Sequence, residues 1–171
     1  MNPFKFNKRG QSAVELGFML PVLVTIVLGI IELSNFITFS LRASNLSREI
    51  ANAAFRDCGF LSDSSLPSCL QTSADRVRDH ADFIFNNFTN LGAVVVSAYE
   101  SNPANLAGQK AAGAGAYASR YNVGSVDQDV LATHERIVIG EVFYPYTPIT
   151  PAGAFLNFFD INPVVYEVTI Y

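Results

Sequence analysis

The chain has little charge and few of the side chains that enzymes depend on. Of its 171 residues, 15% are charged and two are histidines, His80 and His134. These are isolated in sequence, and no serine elbow or cysteine–histidine constellation accompanies them, which argues against catalysis. Each reads as a surface or core histidine rather than a ligand. Tryptophan is absent, which excludes no function. Cysteine is confined to Cys58 and Cys69, eleven positions apart in a Ser/Asp/Pro-rich stretch. They match no zinc or redox motif, which needs closer pairs or extra ligands. Basic residues are scarce past Gly10: the chain beyond it carries 8 basic and 15 acidic residues. Phosphate binding needs a clustered basic face, so nucleic acid is not expected as a partner. Gly113-Ala114-Gly115 follows no predicted strand and carries no P-loop lysine pattern, and Asp127-x-Asp129 lacks the glycine and distal glutamate of a calcium loop. Asp75, Asp79 and Asp82 share a helix face with Arg76 and Arg78, the pattern of a solvated surface. No metal and no cofactor is expected.

Apolar sequence is abundant. Half the residues are hydrophobic, and Leu16–Ile31 is sixteen residues without a charge. Leu33–Leu41 adds nine more after Glu32. A membrane span needs roughly 20 apolar residues, so Leu16 to about residue 39 fits, with Glu32 toward the outer side. Lys5, Lys8 and Arg9 hold the N-terminus in the cytoplasm by the positive-inside rule, which places everything after about residue 40 outside. A cleavable secretory signal would have its small-residue exit after the apolar run; here the small residue, Gly10, comes before it. Pro21 is tolerated in a membrane helix and predicts a kink or opened turn near Gly17. Glu15 sits at the lip of the uncharged run, where a carboxylate costs on the order of 2.5–3.5 kcal/mol at a helix centre and less near the surface. Such a residue is either a functional group or a helix-start acid favoured by the helix dipole. Glu32 is either solvated at the outer interface or makes a packing contact. Outside the cytoplasm Cys58 and Cys69 are expected to pair, closing a loop worth about 3 kcal/mol in the chain-entropy model; two free thiols are the alternative.

The remaining pattern predicts an α+β fold. Phe36, Phe39, Ala43, Leu46, Ile50 and Ala53 recur at spacings of three and four, a helical stripe. One helix from about Ser12 to Arg56 would be ~67 Å long, ended by Gly59. Thr72-x-x-Asp75 reads as a capping box opening a second helix, whose apolar face holds Val77, Ala81, Ile84, Phe85 and Phe88. Ala93–Tyr99, Arg136–Tyr144 and Val164–Tyr171 read as strands, and Pro145, Pro148 and Pro151 break the second of them. Residues 101–125 read as a long surface loop with a helical turn around Leu106–Tyr121. The expected architecture is a long, partly transmembrane N-terminal helix and a shorter helix packed on a small three-stranded antiparallel sheet. The domain organisation is a leader over 1–10, the long helix over 11–56, and an α+β domain over 57–171.

Arg9-Gly10-Gln11-Ser12-Ala13-Val14-Glu15-Leu16, then Leu20-Pro21-Val22-Leu23 and Gly29-Ile30-Ile31-Glu32, resembles the TadE-like family, minor pilins or pseudopilins of the tight-adherence (Flp, type IVc) pilus. The Glu141-Val142-Phe143-Tyr144-Pro145-Tyr146 stretch is similar to a strand-then-proline segment in the C-terminal half of such proteins. The resemblance implies a pilin-like fold and cutting between Gly10 and Gln11 by a prepilin peptidase at the cytoplasmic face. It implies that Glu15 becomes the carboxylate at the fifth position of the mature chain, paired with the N-terminal ammonium of a neighbouring subunit. Leu16 stands where the family usually has tyrosine or phenylalanine, and Gln11 can cyclise to pyroglutamate, which removes the free amine. The implied partners are the peptidase, other minor and major pilins, the assembly platform and the bacterial inner membrane, with the C-terminal domain periplasmic or on the filament. An uncut, membrane-anchored periplasmic scaffold or binding protein is the alternative. A membrane-tethered hydrolase built on the 101–130 loop is a third reading.

Overall fold

A computed structural model describes residues 8–62, 64–85, 87–101, 104–113, 117–121, 136–151 and 164–171. His134, Asp127, Asp129 and Gly115 lie outside these residues. The described elements are three helices, α1 (Lys8–Cys58), α2 (Leu66–Ile84) and α3 (Phe88–Leu91), and four strands, β1 (Ala93–Ser101), β2 (Ala104–Gly113), β3 (Arg136–Pro145) and β4 (Val164–Ile170). The chain divides into two compact units, Met1–Ile37 with Thr147–Asn162, and Thr38–Tyr146 with Pro163–Tyr171.

In the first unit α1 is helical from Lys8 and continues through Pro21. Proline has no N–H to donate, and one turn on the Thr25 hydroxyl donates to the Pro21 carbonyl at 2.8 Å, a local bond common for Thr inside helices.

The second unit is α+β. All strand pairings are antiparallel, in the order β2-β1-β3-β4. The sheet therefore has four strands where three were expected: Ala104–Gly113, read as loop from its small side chains, forms β2 along β1, with a register shift between Ala98 and Tyr99. The smallness has a packing reason. A Cβ at Gly108 would meet the Leu70 side chain at 3.2 Å, so β2 passes close under α2. β2 ends at Gly113, whose φ of 119° is a conformation open to glycine and strained for other residues.

β1 and β3 are central strands and are buried on both faces, so β3 does not show the in/out alternation its sequence hints at. On one face Val94, Val96, Ala98, Val138, Val142 and Tyr144 join the helices in the main core. The outer half of α1 contributes Ala43, Leu46, Ser47, Ile50, Ala51, Ala54 and Cys58, all buried; the stripe runs through Ala54, and Ala53 is only half-buried. α1 sits on β3 at Gly140, where an added Cβ would come within 2.7 Å of the Ser47 carbonyl oxygen. Ser40 donates to Glu167 at 2.7 Å and the Ser47 and Thr169 hydroxyls meet at 2.8 Å, which tie α1 to β4. Phe39 packs against Phe85, Tyr144 and Tyr146.

α2 begins at Leu66, not at Thr72. Pro67 occupies its first turn, where a missing N–H costs nothing, and the Thr72 hydroxyl bonds back to the Ser68 carbonyl inside the helix. The expected apolar face is present: Val77, Ala81, Phe85 and Phe88 are buried and Ile84 packs at the margin. The helix stops at Ile84, and Asn87 at φ 64° turns the chain into α3. Asp82 accepts the Thr89 N–H at 2.7 Å, so a carboxylate from α2 caps α3 and is held below the usual carboxylate range by the Thr89 bonds.

Candidate functional site

The features that the sequence singles out lie along α1. Gly10 and Gln11 are within its first turn, because the helix begins at Lys8. Glu15 follows and is exposed. From Leu16 onward the helix presents apolar side chains outward: Leu16, Phe18, Met19 and Leu23 are each more than 60% exposed. An 18-residue window reaches a mean hydropathy of 2.4 with none of it buried within the chain. By length and composition α1 is able to cross a membrane. An exposed apolar surface of this extent marks contact with lipid or with other chains. Glu15 and Glu32 are seventeen residues apart, about 26 Å along a helix axis at 1.5 Å per residue, close to the ~30 Å of a bilayer's hydrocarbon core.

Glu32 makes a packing contact, the second of the two readings open from sequence. Its carboxylate accepts the Thr150 N–H at 3.0 Å, the Thr150 hydroxyl at 2.8 Å and the Ile149 N–H at 3.3 Å. The segment after β3 is thus fixed to α1 within the first unit.

Cys58 and Cys69 form a disulfide. It joins the last residue of α1 to the first turn of α2. Gly59 closes α1 as expected, its N–H bonding the Phe55 carbonyl at 2.9 Å; a Cβ there would lie 2.4 Å from that oxygen.

Other flagged side chains sit on the solvated surface. His80 of α2 faces Glu49 of α1, with Nδ1 3.0 Å from the carboxylate. Arg78 pairs with Asp79 and Asp75 of its own helix, and Arg76 with Asp57 near the end of α1, so these charges form solvated surface ion pairs. Among the described residues no group of three or more His, Cys, Asp or Glu side chains is placed to hold a metal ion. A cleft of ≈ 220 Å³ is lined by Gly59, Phe60, Leu61, Glu100 and Arg136. Its Arg136 is committed to Glu100 across the β1–β3 pair at 2.7 Å and to the Leu61 carbonyl at 2.8 Å. Of the 101–130 loop proposed to carry hydrolase chemistry, the first part is strand β2.

One polar centre was not flagged as a site from sequence. Glu141, in the middle of β3, is fully buried. Its carboxylate accepts the Arg120 N–H and the Tyr166 hydroxyl, each at 2.9 Å, and a short hydrogen bond from the Ser119 hydroxyl. Burial and the bond to Glu141 push the Tyr166 phenol well above its ordinary range. The Arg120 guanidinium lies over the Tyr166 and Phe143 rings at 5.0 and 5.5 Å, and Tyr117 stacks on Phe143 at 5.0 Å. The sequence signal was a single carboxylate inside Arg136–Pro145, otherwise apolar from Ile137 onward. Chemically this is a clamp: one buried acceptor gathers residues 117–121 onto the sheet face away from the helices.

No curated protein and no solved structure matches the chain significantly. Residues 10–52, the stretch holding Gly10, Glu15, Pro21 and Glu32, match the model of the TadE-like protein family, the same family that the N-terminal sequence resembles.

Proposed function

We propose that the protein is a minor pilin or pseudopilin of a tight-adherence pilus, anchored in the bacterial inner membrane and cut after Gly10. The family match associates the N-terminal segment with that pilus system, and it is not a family of enzymes. The observation that carries the reading is the exposed apolar half of α1, entered by a glycine and, five residues later, by Glu15. A carboxylate at the edge of an apolar helix is tolerable when a partner meets it. In a bundle of such helices the partner is the ammonium that cutting creates on a neighbouring subunit, and the pair sets axial register as a buried polar group does in coiled coils. The domain beyond the span then faces the periplasm or the filament surface, consistent with its disulfide. The prepilin peptidase, other pilins and the assembly platform are its partners, and its work is initiation, assembly or capping of the filament.

Cutting at Gly10 also fits the helix start. Glycine disfavours a helix by about 1 kcal/mol relative to alanine, so the first turn opens cheaply for a peptidase. The test is the intact mass of membrane-extracted protein from cells with and without the peptidase, alongside Gly10→Ala. The expected species begins at Gln11 and is lost in both controls. A full-length mass in every sample would make the protein an uncut membrane-anchored scaffold. Cyclised Gln11 shows in the same spectrum as the loss of one ammonia, and would remove the ammonium from the pairing.

A further inference from the structure

The segment after β3 is built for a place with little water. Across Pro148–Pro151 the two prolines have no N–H, and the N–H groups of Ile149 and Thr150 both go to Glu32, as does the Thr150 hydroxyl. No backbone N–H in these four residues is left for solvent. A loop in water has no need of this; a loop at membrane depth does, because an unsatisfied backbone group in hydrocarbon costs several kcal/mol. The side chain between the prolines is apolar and turned out: Ile149 is 68% exposed. On α1 itself the neighbours of Glu32 are equally apolar and open, Ile31 at 46% and Leu33 at 59%. The sequence continues from Ala152 to Phe159 with no charge and three phenylalanines.

We infer that Pro148–Pro151 is a second membrane contact, docked by Glu32 against the span so that Ile149 enters the outer leaflet of the lipid bilayer. The occupant of this apolar face is lipid: Ile149 belongs to the same compact unit as the exposed apolar residues of α1, its N–H is held by Glu32 between Ile31 and Leu33 of that helix, and Glu32 lies toward the outer end of the uncharged run. Glu32 is the positioning residue. It brings the donors that make a carboxylate affordable at that depth, and it sets the loop at the level where interfacial apolar groups sit, about 5–10 Å into the headgroup and acyl boundary. The inference rests on α1 spanning the membrane and is independent of cutting at Gly10.

The absence of tryptophan makes the test clean. The full chain is reconstituted in phosphatidylethanolamine/phosphatidylglycerol vesicles with acyl chains brominated either near the headgroup or near the terminal methyl, carrying a single indole from Ile149→Trp or, separately, from Leu23→Trp in mid-span. The expected result for Ile149→Trp is blue-shifted emission quenched more by the shallow bromines, and for Leu23→Trp more by the deep ones. Adding Glu32→Ala to Ile149→Trp is expected to remove most of the quenching and return the emission toward its position in water. If Leu23→Trp is quenched but Ile149→Trp emits as in water, the loop contact is wrong and the span stands. Blue-shifted emission without bromine quenching assigns the face to a protein partner and overturns the lipid assignment. If neither indole is quenched, the span and the loop contact fall together. Quenching of Ile149→Trp that survives Glu32→Ala overturns the role given to Glu32.

Discussion

Tyr166 and Glu141 show how a single residue pair organises the face of the sheet away from α1 and α2. The phenol donates to a carboxylate fully removed from water, and hydrogen bonds to charged groups contribute about 1.5–3 kcal/mol. Tyr166→Phe deletes the donor and keeps the ring over which Arg120 lies, so it is expected to lower stability by about 2 kcal/mol in urea unfolding of the full chain in detergent micelles. The same pair fixes an alkaline limit. The folded phenol is held above its ordinary range, whereas the unfolded phenol ionises near pH 10. Stability from this group is complete below that pH and is lost as pH rises toward the folded value, because the unfolded chain gives up its proton first. Unfolding midpoints measured from neutral to strongly alkaline pH are expected to fall above about pH 10 and to fall less steeply in Tyr166→Phe. Tyr99 and Tyr144, also pushed up by burial, keep part of the decline. None of this was legible in sequence. The partners of Glu141 come from residues 119–120 and from β4, and long-range pairing of that kind leaves no local spacing to read.

At the level of elements, periodicity was a good guide where an element has one wet face and a poor one where it does not. The outer half of α1 from Phe39 on and the part of α2 from Val77 on show their apolar stripes, and the structure buries them nearly as expected. Phe36, by contrast, is exposed, and Leu66 and Leu70 at the start of α2 are buried without having been read as helix. β3 was read from an alternation of Ile137, Ile139 and Phe143 against Arg136 and Val138 that its burial does not show. β2 was missed because a strand beneath α2 must be small, and Ala–Gly alternation is also what a loop looks like. Helix starts were less readable: Thr72 and Asp75 imitate a capping box inside a helix that Pro67 has already opened. The seat of α1 on β3 gives the prediction at this scale. Gly140→Ala places a methyl within 2.6 Å of the Ile50 side chain and 2.7 Å of a backbone oxygen. Overpacking of this kind costs about 1–3 kcal/mol, to be seen as a lowered urea midpoint with an unchanged slope; a midpoint equal to wild type would mean that the helix lifts off the sheet without cost.

For the molecule as a whole, the apolar half of α1 was the most legible part, because a helix long and apolar enough to cross a membrane carries its pattern in consecutive residues. Glycine, carboxylate and uncharged run are all local. The contact of Glu32 with Thr150 was only half legible: the carboxylate stood out, its partner more than a hundred residues away did not. The disulfide was anticipated from compartment rather than from spacing. Removing it with Cys58→Ser and Cys69→Ser together is expected to lower stability by about 3 kcal/mol, measured by urea unfolding against the oxidised chain, with the secondary structure seen by circular dichroism retained. Its position has a mechanical meaning as well. Any pull applied lengthwise to the outer half of α1 loads it along the sheet on which it is seated. The Gly140 seat and the bonds from Ser40 and Ser47 to β4 share that load in shear, and the covalent link at Cys58 acts as a rivet at the far end of the helix. A helix fastened this way resists being drawn out of its own domain, so lengthwise tension on the outer half of α1 is expected to be borne by these ties before the sheet itself opens.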